Sequence, residues 1–192
     1  MGGTDAMPTR ILAFAGSSRR ESLNRGFLAF GVESARELGC EVTLLDLNEY
    51  VLPLYNGDLE DRDGLPENAA KLIGLIAGHD GLLIASPEYN SMITPLLKNT
   101  LDWCSRGDSD PFGGRAAAVM SASPGPFGGV RSLAQAQQLL LKLGCRVVPG
   151  QCVLIHADKA FDAQGRLADE RARKSARALA AALAKAAAGP GA

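Results

Sequence analysis

Histidine is scarce in this chain of 192 residues: His79 and His156 are the only two. A Ser-His-Asp or Cys-His hydrolase is therefore hard to build, because histidine is the usual base for those nucleophiles. Neither histidine has a ligand-like neighbour at metal-site spacing, and the four cysteines, Cys40, Cys104, Cys145 and Cys152, form no C-x-x-C pair. A structural zinc site is not expected, and the cysteines read as separate reduced thiols. No apolar run approaches the roughly 18–20 residues that cross a bilayer. A basic excess is missing too: the formal net charge is −1, without the surplus of Lys and Arg that a dedicated nucleic-acid binder carries. The opening "MGGTDAMPTR" lacks a basic segment followed by an apolar core, so no secretion signal is read there. It is expected to be a disordered lead-in over residues 1–9, with Met7 an alternative start. These absences leave a cytoplasmic protein without membrane or nucleic-acid partners. Its length suits one well-cored domain, and with no composition break or internal repeat that domain is expected over residues 10–188.

Short apolar runs alternate with helical patterns along the chain. "RILAFAG" (Arg10 to Gly16) reads as a buried strand. Asn24 to Leu38 carries Phe27, Leu28, Val32, Ala35 and Leu38 on one helix face, with Gly39 as its stop. Glu41 to Leu47 is a second strand, and the acid-rich "LYNGDLEDRDG" after it reads as an exposed loop. A second helix is expected from Pro66, in its first turn, to about Gly78. The third strand is Gly81 to Ser86. Thr94 and Pro95 then supply the cap and first residue of a third helix whose stripe is Leu97, Leu101 and Cys104. "AAAVMSAS" is a fourth strand, "SPGPFGG" a turn, and about Val130 to Leu143 a fourth helix. "RVVPGQCVLI" holds the fifth strand. The Ala-rich segment from Asp169 to Ala188 has a helical face in Ala176, Leu179, Ala180 and Leu183, and reads as a closing helix of high intrinsic propensity. Five strands alternating with five helices predict an α/β fold, a parallel sheet with helices on both faces. Ligands of such sheets sit outside the carboxyl ends of the strands, near the switch in strand order. The polar segments after strands one, three and four all reach that edge.

The first of these, "GSSRRESLN" (Gly16 to Asn24), leads into a helix N-terminus whose free N–H groups and dipole favour an anion. Ser17, Ser18, Ser22 and Asn24 add neutral donors, and Arg19 a charge-assisted contact to phosphate oxygens. Neither G-x-x-x-x-G-K-[ST] nor G-x-G-x-x-G is present, which excludes a P-loop and the ordinary dinucleotide fingerprint. Asp46, thirty positions after Gly16, lies farther along than the ribose-binding acid of that fingerprint. A capped helix beside surface arginines is the plain alternative. In "SPEYN", Pro87 and Tyr89 offer flat apolar surface, and the backbone of Glu88 to Asn90 can meet the polar edge of a heteroaromatic ring. A turn whose tyrosine covers the core is the other reading. Ser121 to Gly129 is rich in small residues that permit close ligand approach, or that simply connect strand to helix. One phosphate cradle and two loops suited to a planar ring point to a mononucleotide, with FMN a better fit than a dinucleotide.

Taken together, "GSSRRESLN", "SPEYNSMITPLLKNTLDW" and "MSASPGPFGG" resemble, in order and spacing, the three signature segments of the NADPH-dependent FMN reductases. That flavodoxin-like group includes quinone, azo-dye and chromate reductases, and the resemblance spans roughly Arg10 to Asp169. It implies a flavodoxin-like, doubly wound, five-stranded parallel sheet, FMN as cofactor and NAD(P)H as co-substrate. The cofactor-binding residues it implies on the first loop are Ser17, Ser18, Arg19, Ser22, Leu23 and Asn24, with Ser17, Arg19, Ser22 and Asn24 on the phosphate. Pro87, Glu88, Tyr89 and Asn90 would line the isoalloxazine ring, and Ser121, Ser123 and Gly125 would meet its far side or the ribityl chain. Ser91 is the usual small residue after PEYN, whereas Met92 stands at the substrate mouth where many relatives carry serine. The resemblance also implies a homodimer, often paired into a tetramer. Trp103, Phe112 and Phe127 are candidate interface residues, with a core or loop-packing role as the alternative for each. The implied activity is hydride transfer from NAD(P)H to FMN, then electron transfer to a quinone, azo compound, free flavin or metal oxyanion. The cofactor carries that chemistry, so no catalytic side chain is assigned. The rival is a non-enzymatic, flavodoxin-type electron carrier. Such carriers are usually strongly acidic and have no arginine in the phosphate loop, unlike this chain with its near-neutral charge and Arg19.

Overall fold

The strands buried almost throughout occupy the middle of the sheet. In the computed structural model, which describes residues 7–189, β1 (Arg10–Ala15), β3 (Gly81–Ala85) and β4 (Ala116–Ala122) are buried along almost their whole length. Continuous apolar runs of this kind need cover on both faces, which only a central position in a parallel sheet supplies. β2 (Glu41–Leu45) lies outside β1 and is half-exposed, as its mixed composition requires. The strand order is β2-β1-β3-β4-β5, with every pairing parallel. The switch in strand order falls between β1 and β3, so the loops leaving those two strands diverge around a crevice.

Alternation along β1 divides the core into two layers. Ile11, Ala13 and Ala15 face α1 (Leu23–Glu37) and α6 (Glu170–Ala187), where Phe27, Leu28, Val32, Leu179 and Leu183 pack against them. Leu12 and Phe14 face the opposite layer, where α3 (Glu67–Ala77), α4 (Pro95–Cys104) and α5 (Val130–Lys142) contribute Leu72, Ile76, Leu97, Leu101, Leu133 and Leu140. The flavodoxin-like doubly wound sheet is therefore present, with corrections to its parts. The fifth strand is two short ones, β5 (Arg146–Val147) and β6 (Cys152–Leu154), which pair with the start and the end of β4 respectively. Pro149 between them has no N–H for a ladder, and Gly150 takes a φ of 121°. The acid-rich segment expected as a loop contains α2 (Gly57–Asp63), capped by Asn56, whose side chain accepts from the Asp58 N–H. Its acidic residues in the first turn suit the helix dipole.

Smaller differences fall at element ends. β2 stops at Leu45 because the Asp46 side chain caps a single 3-10 turn over Leu47–Glu49. Pro66 is the residue before α3, not part of its first turn. Thr94 and Pro95 start α4 as the sequence indicates, and Asp169 caps α6. Residues 1–6 of the expected lead-in lie outside the described residues; within them, Thr9 O already accepts from the Glu41 N–H at 3.0 Å. Trp103 and Phe112 are fully buried core residues, whereas Phe127 is left exposed. All four cysteines are buried and unpaired.

Candidate functional site

Three loops meet at the carboxyl edge of the sheet, and side chains bonded to distant backbone hold them in register. The first leaves β1 through Gly16, whose N–H continues the ladder to Ala85 O. Its carbonyl accepts a 2.6 Å hydrogen bond from the Thr94 hydroxyl, which also caps α4 by accepting from the Leu97 N–H. A Cβ at position 16 would stand 2.8 Å from Leu97 Cβ, so only glycine lets the N-terminus of α4 come this close. Ser17 is buried and accepts from the Arg19 N–H. Ser22 caps α1 by accepting from the Arg25 N–H, which leaves its own proton to donate. The Leu23 and Asn24 amides occupy the first turn, where no intrahelical acceptor exists. Arg25 pairs with Asp46, while Arg19 is exposed and makes no ion pair among the described residues.

Asn24 has a different task from the one the sequence suggests. Its side-chain N–H donates to Ala122 O at 2.8 Å and its side-chain oxygen accepts from the Ala122 N–H at 2.9 Å. The amide thus clamps the start of α1 to the end of β4. The loop after β3 is fastened similarly. Ser86 O accepts from the Ser121 hydroxyl at 2.7 Å, and the Ser132 hydroxyl, 3.2 Å from it, shares its one proton with the nearer Gly129 O at 2.9 Å. The Glu88 carboxylate accepts from the Arg131 and Ser132 N–H groups at the N-terminus of α5, at 2.9 and 3.2 Å. Tyr89 and Met92 then exchange two backbone hydrogen bonds of 3.0 Å across Asn90 and Ser91. Both of these tip residues have positive φ (52° and 65°), the geometry of a two-residue type I′ turn.

The loops enclose a cleft of about 140 Å³ lined by Ser17, Arg19, Ser22, Leu23, Asn24, Pro87, Glu88, Tyr89, Ala122, Ser123 and Pro124. Nine of these are residues singled out from the sequence; Ala122 and Pro124 were missed, although they flank Ser123. Four expected residues do not line it. Ser121 is fully buried with its hydroxyl spent on Ser86, so a direct contact to a ring or ribityl chain is not open to it. Ser18 is exposed and turns its carbonyl to the Asn48 side chain. Asn90 is at the exposed turn tip, and Gly125 donates its N–H to Ser123 Oγ. The Glu88 carboxylate is engaged by α5, which leaves its backbone as the part available to a ring edge.

The donor set fits a phosphate at one end of this cleft. Two hydroxyls, two first-turn amides, the α1 dipole and an unpaired guanidinium converge, and the nearby carboxylate of Asp46 is neutralised by Arg25. Burial pushes the Asp46 pKa up, but the Asn48 N–H and Arg25 outweigh it and hold the carboxyl below its ordinary 3.8. Tyr89 and Pro87 add apolar surface to the same lining. No thiol takes part. Burial pushes Cys104 up to about 12 and Cys145 and Cys152 up to about 11, and none lines the cleft. A larger hollow of about 540 Å³ lies between α1 and the segment leading to α6, but its lining includes nothing from the three loops.

The chain is similar to known proteins over most of its length. An NAD(P)H-dependent FMN reductase of Pseudomonas aeruginosa is 37% identical over 166 residues, covering 86% of this chain and 88% of the relative. An NAD(P)H:quinone oxidoreductase of Solanum tuberosum is 34% identical over 179 residues, covering 91% and 90% of the two chains. Among solved structures, FerB, a flavoenzyme NAD(P)H:(acceptor) oxidoreductase from Paracoccus denitrificans, superposes with a TM-score of 0.80 at 29% identity, over 93% of this chain and 97% of its own. The sequence profile described as NADPH-dependent FMN reductase matches residues 9–160, a span running from the start of β1 past β6 and containing every loop of the cleft. By that match, and by relatives aligned over most of both chains, this protein belongs to the NADPH-dependent FMN reductase family.

Proposed function

We infer that this protein is an FMN-dependent NAD(P)H oxidoreductase whose electrons pass to a small-molecule acceptor, a quinone in the first instance. The observation that carries the reading is the donor set at the N-terminus of α1, with the Arg19 guanidinium unpaired beside it. Ser17, Arg19 and Ser22, with the Leu23 and Asn24 amides, hold the phosphate. Pro87, Tyr89 and the backbone of Glu88 line the ring, and Ser123 stands on the opposite wall. FMN, when bound, supplies the redox chemistry, taking hydride from NAD(P)H and releasing electrons to the acceptor. The chain's own contribution is to bind and orient. Asn24 and Glu88 keep the walls of the cleft apart at fixed spacing, and no side chain is asked to move a proton. Azo compounds, free flavin and metal oxyanions are further acceptors within the same reading.

A homodimer, or a pair of such dimers, belongs to this reading. Met92, Ile93, Pro95 and Leu139 line an apolar groove of about 510 Å³ between α4 and α5, adjoining the PEYN turn. Met92 is more than half exposed there, which burial against a second copy would relieve. No helix among the described residues is long and apolar enough to cross a membrane, and we place the protein in the cytoplasm as a single domain over residues 10–188.

The test begins with apoprotein titrated with FMN and with riboflavin. Charge-assisted contacts of roughly 1.5–3 kcal/mol each favour FMN, and equal affinities would remove the phosphate role of the first loop. NAD(P)H alone should then bleach the visible flavin absorbance under anaerobic conditions. Steady-state lines should be parallel, because one open face serves both substrates in turn. An electron carrier would need a separate reductase to be bleached.

A further inference from the structure

Phe127 is the most exposed aromatic side chain among the described residues, at 57%. It stands on the turn whose Pro124 lines the cleft, and the turn's backbone packs closely just after it. Gly128 and Gly129 both have positive φ (59° and 82°), and a Cβ on either would collide, with Val153 Cβ at 2.9 Å and with Ser121 Oγ at 2.0 Å respectively. The backbone that carries the exposed ring is therefore closely packed on its C-terminal side. One residue type at a time, this is unremarkable; the neighbour gives it meaning. Arg131 places its Cζ 4.7 Å from the ring centroid, and its Nη1 makes only a long contact of 3.4 Å with Glu88. The Glu88 carboxylate is satisfied mainly by the Arg131 and Ser132 backbone N–H groups instead. Nε and Nη2 share one edge of the guanidinium, and neither has a protein partner among the described residues. That edge is the fork that takes a phosphate through two parallel N–H bonds.

An exposed aromatic ring with a guanidinium over one face, and that guanidinium's Nε/Nη2 fork open, suits a ligand that carries a planar base and a phosphate close together. The adenosine 2′-phosphate of NADPH has that chemistry, and NADH lacks the phosphate. We propose that Phe127 stacks the adenine of NADPH and Arg131 pairs with its 2′-phosphate, so that this turn selects NADPH over NADH. The proposal rests on the oxidoreductase reading above. Arg131 keeps its 3.4 Å ion pair with Glu88 through Nη1, whereas Arg19 and Arg20 make none among the described residues. Arg19 is committed to the FMN phosphate, however, and among the described residues no aromatic ring packs against Arg20 as Phe127 does against Arg131.

The two residues separate in one experiment. FMN-loaded protein is titrated calorimetrically with adenosine 2′,5′-bisphosphate and with 5′-AMP, which differ only in the 2′-phosphate. The bisphosphate should bind at least about tenfold more tightly, in line with a charge-assisted pair. Arg131→Gln should bring the two within about twofold of each other, and the ratio of kcat/KM for NADPH over NADH should fall with it. The backbone N–H groups that hold Glu88 survive that substitution. Phe127→Ala should weaken both nucleotides by a similar factor and leave their ratio standing. An unchanged ratio in Arg131→Gln overturns the proposal, as does a ratio lost in Arg20→Gln instead. So does a Phe127→Ala variant with unaltered nucleotide affinities and a smaller oligomer in sedimentation, because the ring would then be covered by a second copy. Wild-type apoprotein that takes up no FMN overturns the flavin reading itself, and this proposal with it.

Discussion

Replacing Asn24 with alanine decides whether this side chain is a phosphate ligand or a fastener. The amide is 5% exposed and makes two hydrogen bonds, both to Ala122. Truncation leaves the Ala122 N–H and C=O unpaired at a residue that is itself 4% exposed. Each orphaned group costs about 1–3 kcal/mol, and water entering through the cleft recovers part of it, so the expected loss is roughly 2–4 kcal/mol. For a chain of this length that is a fall in Tm on the order of 5–15 °C. The assay is thermal and urea unfolding of the FMN-free protein, where no ligand contact can contribute. Asn24→Asp sharpens the test. An ionised carboxylate would set an oxygen against Ala122 O, where the amide donates now, so the variant should be at least as unstable at neutral pH. Its folded-state pKa is raised above the unfolded value, so it should regain stability as pH falls and the protonated carboxyl can donate. If the Asn24→Ala apoprotein melts within about 1 °C of wild type while FMN affinity drops, Asn24 is a ligand and the clamp is incidental.

Other expectations follow from single side chains. Arg19→Ala should raise the Kd for FMN about 5- to 150-fold and leave apoprotein stability unchanged, since the residue is exposed and makes no ion pair among the described residues; a larger effect from Arg20→Ala in equilibrium titration would shift the phosphate assignment by one position. Ser91→Gly should stabilise the protein by about 1 kcal/mol in urea unfolding, because a φ of 65° strains a side chain that glycine does without; a destabilised variant would show that the Ser91 hydroxyl has a role in the turn. Asp46 keeps a lowered pKa, so its contribution is present above the unfolded value and lost as pH falls through the folded one; Asp46→Asn should flatten the acid limb of the stability curve below about pH 4, and an unchanged limb would remove the Arg25 pairing as its cause. The four buried thiols should react with a disulfide reagent only on unfolding, and one fast-reacting equivalent in the native protein would contradict their burial.

Much of the fold is legible in the sequence because β1, β3 and β4 are so uniformly apolar that no other position in a sheet would accept them. Thr94 and Pro95 announce α4 by chemistry alone. α2 was not legible for the opposite reason: it buries no residue, so no apolar period marks it, and only the Asn56 cap distinguishes it from a loop. The break in the fifth strand was written as Pro149-Gly150, inside a run whose flanking residues look continuous. At the site, residue types and loop membership could be read, but the direction of each side chain could not. Ser121 and Ser123 are equivalent serines until the strand decides that the first faces Ser86 and the second faces the cleft. The partner of Asn24 lies 98 residues away, and nothing local signals it.

The clamps that shape the cleft are almost all uncharged: Asn24 with Ala122, Thr94 with Gly16, and Ser121 with Ser86. Mobile ions act on exposed charge over about 8 Å at physiological ionic strength, and hardly at all on buried neutral dipoles. Changing the ionic medium should therefore alter how tightly the phosphate is held by Arg19 while leaving the shape of the walls untouched. Salt becomes a control on cofactor residence alone. The spectrum of whatever flavin stays bound should look the same in dilute buffer and in concentrated brine, even as the fraction that stays bound declines.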